Sequence, residues 1–325
     1  MSHIHKRGFH LISGKKENPL YTSLKDDNAL GQLVALVKNN DNLTLEIRDN
    51  YLNIYYEGGS IAKITSSKSV DLNKNYFRVC KNKRDEDWDK IDTEVKKAKS
   101  LLKAGKFQEY IDLVKTAMFN YWNNVLEGKG VDEKKSQHQI CLCNSYGYSD
   151  YTQLDVEYEV SKKSTFKYSG LRRTSKEELP SPRFDIIAIR NCDHRLCIIE
   201  LKKGTGALAD KSGVQEHAES YHNTVGLNEK TQKDFLNEMQ NIVVIKQSLG
   251  LLPEDVYIDL NLSLEYLFAY QYSSKDELHP SKENQMNTFL HYQNKTTYKL
   301  DKVNHAEGMK VLWLEENDFT LRDKV

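Results

Sequence analysis

Proline is scarce in this chain of 325 residues, five in all, and there is no Gly/Ser-rich stretch, so composition marks no linker between domains. Cysteine is scarce too. Cys80, Cys141, Cys143, Cys192 and Cys197 are an odd set without a C-x-x-C pair, which excludes a disulfide-stapled scaffold and fits free thiols in a reducing cytosol. Cys192, His194 and Cys197 cluster around one turn but do not complete a tetrahedral zinc set. No run approaches the ~20 apolar residues of a membrane helix. The first ten residues, MSHIHKRGFH, carry charge and histidine without an apolar stretch, so neither a membrane anchor nor a secretion signal is expected, and the expected location is cytoplasmic.

An excess of charge of either sign is also missing. Lys+Arg and Asp+Glu each number 47, so the formal net charge is zero. That excludes a protein that coats nucleic acid by bulk electrostatics, while leaving room for a locally basic groove. Phosphate-loop (GxxxxGK), dinucleotide (GxGxxG) and serine-hydrolase (G-x-S-x-G) patterns are absent. Hydrophobic residues at 38% and charged residues at 29% describe a globular chain.

Periodicity organises what is there. Residues 28–39 read as a short helix, and LTLEIRD and YLNIYYEGG as a hairpin around Asp49-Asn50. A second turn at Glu57–Ser60 leads into SIAKITS. Residues 86–127 carry apolar residues at helical spacing, interrupted at Gly105. A helix over 132–144, a strand over 154–160, two strands over 184–190 and 195–202, helices over 211–224 and 230–249, and strands over 264–272 and 309–315 follow. The domain reading is an α+β module at 1–84, a helical connector at 85–130 and an α/β domain at 131–325.

The chemistry concentrates in SPRFDIIAIRNCDHRLCIIELKKG, residues 181–204. Strand alternation puts Glu200 and Lys202 on one face and Ile199 and Leu201 on the other. A turn at Asn191–His194 places Asp185 across from Glu200 within about one residue of register. Two carboxylates and an ammonium then converge at the edge of a buried sheet, which is costly without partners. A hard divalent cation such as Mg²⁺ or Mn²⁺ resolves the repulsion and activates water for attack on a phosphodiester. Lys202 would orient or deprotonate that water, or contact the phosphate.

Pro182-x-x-Asp185 followed by Glu200-Leu201-Lys202 resembles the motif of the PD-(D/E)XK nuclease superfamily, over roughly 132–272. The resemblance implies a restriction-endonuclease-like αβββαβ core, Mg²⁺-dependent cleavage of nucleic acid (DNA first, RNA as alternative), and a bacterial restriction, defence or repair setting. It also implies a possible homodimer or larger complex. A catalytically silent binding or scaffold protein of the same fold is the rival. The resemblance makes Asp185 and Glu200 metal ligands and places a third acid on the first core helix, for which Glu133 is the choice and Glu127 the second. Glu157 and Glu159 are further acids on the first strand, with Glu159 near the site. Some branches carry Gln-x-x-x-Tyr on the helix after the motif. Here His217 and Tyr221 meet that spacing, with Gln215 two residues earlier. His217 and Tyr221 share a helical face and are expected at the phosphate or the water, and Gln215 at the nucleic acid.

Residues 161–176 hold Lys162, Lys163, Lys167, Arg172, Arg173 and Lys176 with no acid, interleaved with Phe166 and Tyr168. Basic residues supply phosphate contacts and aromatics stack on bases. Charge-neutral replacement of Arg172 and Arg173 is expected to weaken DNA binding and flatten its salt dependence; a titration of binding against salt that stays unchanged overturns the assignment.

Overall fold

Tight turns with left-handed residues set the first half of the chain. In this computed structural model, residues 7–9, 17–25, 29–66, 69–128, 130–159, 183–206, 208–209, 213–295 and 305–323 are described. They form two compact units, one made of Arg7–Leu142 with Val244–Pro253, the other of Cys143–Val243 with Glu254–Val325.

The first unit begins with helices α1 (Pro19–Lys25) and α2 (Ala29–Lys38). Strands β1 (Thr44–Ile47), β2 (Leu52–Tyr56), β3 (Gly59–Ser66) and β4 (Ser69–Asp71) form an antiparallel meander in that order. Helices α3 (Trp88–Lys103), α4 (Phe107–Asn120) and α5 (Asp132–Cys143) complete it. The expected hairpin at Asp49-Asn50 is present, with Asn50 at φ 58°. The second turn has both central residues left-handed, Glu57 at 44° and Gly58 at 78°, the backbone that matches the twist of paired strands. The helical stretch expected over 86–127 breaks at Gly105 (φ 73°) and ends in a π turn over Tyr121–Val125. These helices belong to the same unit as the meander. Tyr110 of α4 donates to the Ile61 carbonyl of β3, so the helices and the sheet share one core.

One charged pair is sealed into that core. The last turns of α7 (Glu229–Ser248) return to this unit, and there Lys246 donates to Glu46 of β1 at 2.8 Å, with both side chains nearly inaccessible. Pairing in so dry a place is obligatory for either charge.

The second unit is a five-stranded mixed sheet in the order β5 (Tyr151–Glu159), β6 (Arg183–Arg190), β7 (Arg195–Lys203), β8 (Glu265–Gln271) and β9 (Val311–Leu314). The first three strands pair antiparallel, while β7–β8 and β8–β9 are parallel. A parallel neighbour needs a crossover. Helix α6 (Val214–His222) and α7 supply the first, and α8 (Lys282–Gln293) the second. Strand β7 lies in the middle and is buried over Leu196–Lys202, hence its apolar run. Mixed α/β architecture and the order helix, three strands, helix, strand are as read from periodicity. Helices α1 and α8 and strand β4 are additions to that reading. No helix among the described residues is long and apolar enough to cross a membrane.

Gly58 and Gly105 separate backbone strain from crowding. A Cβ on Gly58 would stand 2.3 Å from the carbonyl oxygen of Lys134, whereas one on Gly105 would meet nothing within 4 Å. Gly105→Ala should cost about 1 kcal/mol from φ alone, and Gly58→Ala about 2–4 kcal/mol because α5 must also shift. Urea unfolding of the two variants checks the difference, and equal losses count against it.

Candidate active site on strand β7

The β6–β7 ladder runs from Arg190↔Arg195 to Ile186↔Ile199 around a four-residue turn, which leaves Asp185 one step beyond, opposite Glu200. There the Asp185 carboxylate accepts the backbone N–H of Leu201 at 2.9 Å. The parallel register with β8 sets Phe268 beside Glu200 and Tyr270 beside Lys202. Phe268, Tyr270, Trp313 of β9 and Phe289 of α8 pack edge to face at 5.0–5.6 Å. This aromatic cluster keeps water off the end of β7.

Glu200 and Lys202 are 1% and 2% exposed. The Lys202 ammonium donates to Glu200 Oε1 at 3.0 Å. His217, brought in by α6, places Nδ1 2.6 Å from the same oxygen. Burial alone would raise the Glu200 pKa; the Lys202 ammonium, then His217, outweigh it and hold the carboxyl down at about 2. The group is therefore an anion at any ordinary pH. Its second oxygen, Oε2, is inaccessible and has no hydrogen-bond partner among the described residues.

Lys202 and His217 thus meet on one oxygen of Glu200, and Asp185 stands opposite Glu200 on the neighbouring strand; the sequence placed His217 at the phosphate or the water rather than on the carboxylate. The other assignments meet different fates. Tyr221 does not reach the carboxylate: its ring stacks on Tyr266 of β8 at 4.6 Å, and burial pushes its hydroxyl up to about 12. Gln215 is spent on backbone. Its amide donates to the Tyr292 and Gln293 carbonyls at 3.0 and 2.7 Å, and its oxygen accepts from His305 and Ala306 at 3.0 and 3.3 Å. The expected contact to nucleic acid is replaced by a bolt between α6, α8 and the segment before β9. Glu133 is exposed in the first turn of α5, in the other unit. Glu159 is exposed, and Glu157, left-handed at φ 49°, faces Arg183 at 3.8 Å; the two alternate with buried Val156 and Tyr158. Lys162, Lys163, Lys167, Arg172 and Arg173 lie outside the described residues.

Among the described residues no group of three or more His, Cys, Asp or Glu side chains is arranged to hold a metal ion. What remains as donors are Asp185 and Glu200. The orphaned Oε2 is the test of fit: a buried, anionic, unbonded oxygen beside a second carboxylate suits a hard cation that binds through one or two carboxylates and keeps its waters. At the far end of the same strands the charges are closed on themselves. Arg190 grips Asp193 through Nε and Nη2 at 3.0 and 2.7 Å and Glu265 at 2.7 Å. Cys197 is buried, Cys192 exposed, and the His194 ring stacks on Tyr257 at 3.9 Å.

Two residues of this region escape sequence reading. Tyr266 sits in an apolar strand where any aromatic reads as core. Gln285 of α8, 0% exposed, bonds the backbone of Ser273 and His279, which no apolar pattern signals. Because the Gln215 amide is saturated by backbone, Gln215→Ala should lower stability by about 2 kcal/mol or more through the groups it strands. Thermal melts check this, and an unchanged midpoint refutes the bolt.

Comparison of the chain with protein-family models, with curated proteins and with solved structures finds no match.

Proposed function

We propose that this protein is a divalent-cation-dependent nuclease whose second unit is a restriction-endonuclease-like domain of the PD-(D/E)XK type. The observation that carries the reading is Glu200: a fully buried carboxylate with Lys202 and His217 on one oxygen, no hydrogen bond to the other among the described residues, and Asp185 alongside. A purely structural ion pair has no reason to leave half of a buried carboxylate unsatisfied. The strand arrangement supports the same reading. An antiparallel β5–β6–β7 triplet is followed by a helical crossover to a parallel β8, with the motif residues at the end of the central strand.

Asp185 and Glu200 would hold Mg²⁺ or Mn²⁺. When bound, the ion supplies an activated water and positive charge for the phosphate. The chain's own residues do the rest. Leu201 N–H fixes one Asp185 oxygen. Lys202, held by Glu200 and kept dry by Tyr270 and its aromatic neighbours, keeps a positive charge where a phosphodiester develops negative charge. His217, a quarter exposed, closes the site on the helix side and ties down Glu200 Oε1. DNA is the proposed substrate, with RNA the alternative. The closed Lys202–Glu200 pair also favours a second reading, a nucleic-acid-binding protein that does not cut.

Incubation with plasmid, linear and single-stranded DNA and with RNA, in Mg²⁺, Mn²⁺ or EDTA, separates these. Metal-dependent cleavage is expected, reduced about 10²-fold or more in Lys202→Ala and Asp185→Asn, with folding checked by circular dichroism. Cleavage that persists in EDTA and survives both substitutions removes the proposal. Binding without cleavage by the wild type favours the second reading.

A further inference from the structure

Tyr266 differs from four other deeply buried tyrosines. Tyr110 reaches the Ile61 carbonyl, Tyr151 the Asp323 carboxylate, Tyr158 Glu238 and Tyr270 Gln285. Tyr266 is 5% exposed, yet its hydroxyl has no accessible surface and no partner among the described residues. Its ring contacts among the described residues are ones a ring alone satisfies: Tyr221 stacked at 4.6 Å, Phe268 edge-on at 5.5 Å, Phe184 edge-on at 6.3 Å. Phenylalanine would make the same contacts and avoid burying an unbonded hydroxyl.

The place of this hydroxyl gives the reason. Tyr266 pairs with Ile198, two residues before Glu200 on the same face of β7, and packs against Phe268, the residue beside Glu200. Burial first, then the charges of Glu200 and Asp185, push its pKa well above the usual phenol range, so it is a neutral O–H in the field of both carboxylates. Glu200 Oε2, in the carboxylate whose charge acts on this hydroxyl, likewise has no hydrogen-bond partner among the described residues. The two orphans do not bond each other. Buried unsatisfied groups in a native fold call for a water or an ion, and these two take both: an anionic oxygen suits a cation, and a neutral hydroxyl suits the water that such a cation retains.

We propose that Tyr266 is a positioning residue whose hydroxyl hydrogen-bonds a water carried by the divalent cation on Glu200, so that both orphaned atoms are completed by one hydrated ion. This rests on the cation reading of the site. It adds a contact outside the acidic pair and assigns Tyr266 to holding the ion, with Tyr221 stacked behind it as support.

Tyr266→Phe tests it, because the variant removes only the hydroxyl. Thermal melts in EDTA and in Mn²⁺, with Mn²⁺ affinity followed by electron paramagnetic resonance, are compared for wild type, Tyr266→Phe and Asp185→Asn. In EDTA the Phe variant should melt at or above the wild-type temperature, while its Mn²⁺ affinity falls about fivefold, the loss of one hydrogen bond. A melting temperature lowered equally in EDTA and Mn²⁺ means a structural hydroxyl bridged by ordinary water and overturns the proposal, as does wild-type Mn²⁺ affinity in the variant. If wild type takes up no Mn²⁺, or Asp185→Asn binds it equally well, the cation reading falls and Tyr266 falls with it.

Discussion

A carboxylate and an ammonium two residues apart in the middle strand of a covered sheet constrain the rest of the second unit. Neither charge has water, so each must be met by the protein. Lys202 and His217 meet one oxygen of Glu200. That requires α6 to cross at the height of Glu200, and β6 to bring Asp185 to the end of its ladder. The dryness is itself built, because the parallel strands on one side of β7 set Phe268 and Tyr270 against the charged pair. A sheet antiparallel throughout could be linked by short hairpins; the parallel half demands helical crossovers, and those crossovers are what cover β7.

Much of that covering is fastened by side-chain amides. Helix α8 faces the sheet with Gln285, Phe289 and Gln293, one stripe at four-residue spacing. Gln285 and Gln293 bond carbonyls of Ser273, His279, Ala306 and Met309, and Gln215 of α6 reaches the end of α8. A loop carbonyl buried under a helix needs a donor, and glutamine offers two on a stem long enough to reach. The helix is positioned by direction-specific bonds as much as by apolar area.

This division explains what could be read in advance. Strand alternation made Glu200 and Lys202 share a face, and the short turn at Asn191–His194 set the register of Asp185; both are local rules that tertiary context did not override. The four-residue spacing on α6 put His217 and Tyr221 on one face but could not say what each would meet: His217 lies against Glu200, and Tyr221 one turn further stacks on Tyr266. Helix α8 was illegible because its buried face is two amides and one ring, a pattern with no hydrophobic period. Gln215 looked available for a ligand because sequence shows a donor without showing the four backbone groups that occupy it. Tyr266 was hidden for the opposite reason: an aromatic in LEYLFAYQY is the expected core residue, and only the missing hydrogen-bond partner of one atom among the described residues sets it apart.

The last strand has a meaning beyond the site. With four residues, β9 is the shortest strand of its sheet and lies at one edge of it, and Glu315 and Glu316 follow at once. Glu316 is engaged by Ser274, and Glu315 pairs with Lys282. An open edge is where a sheet recruits strands from other molecules, and a short edge that ends in acids offers them little length and an unwelcoming charge. At β9 the fold thus carries a safeguard against self-association through stacked sheets, one that a longer apolar strand in the same position would forfeit.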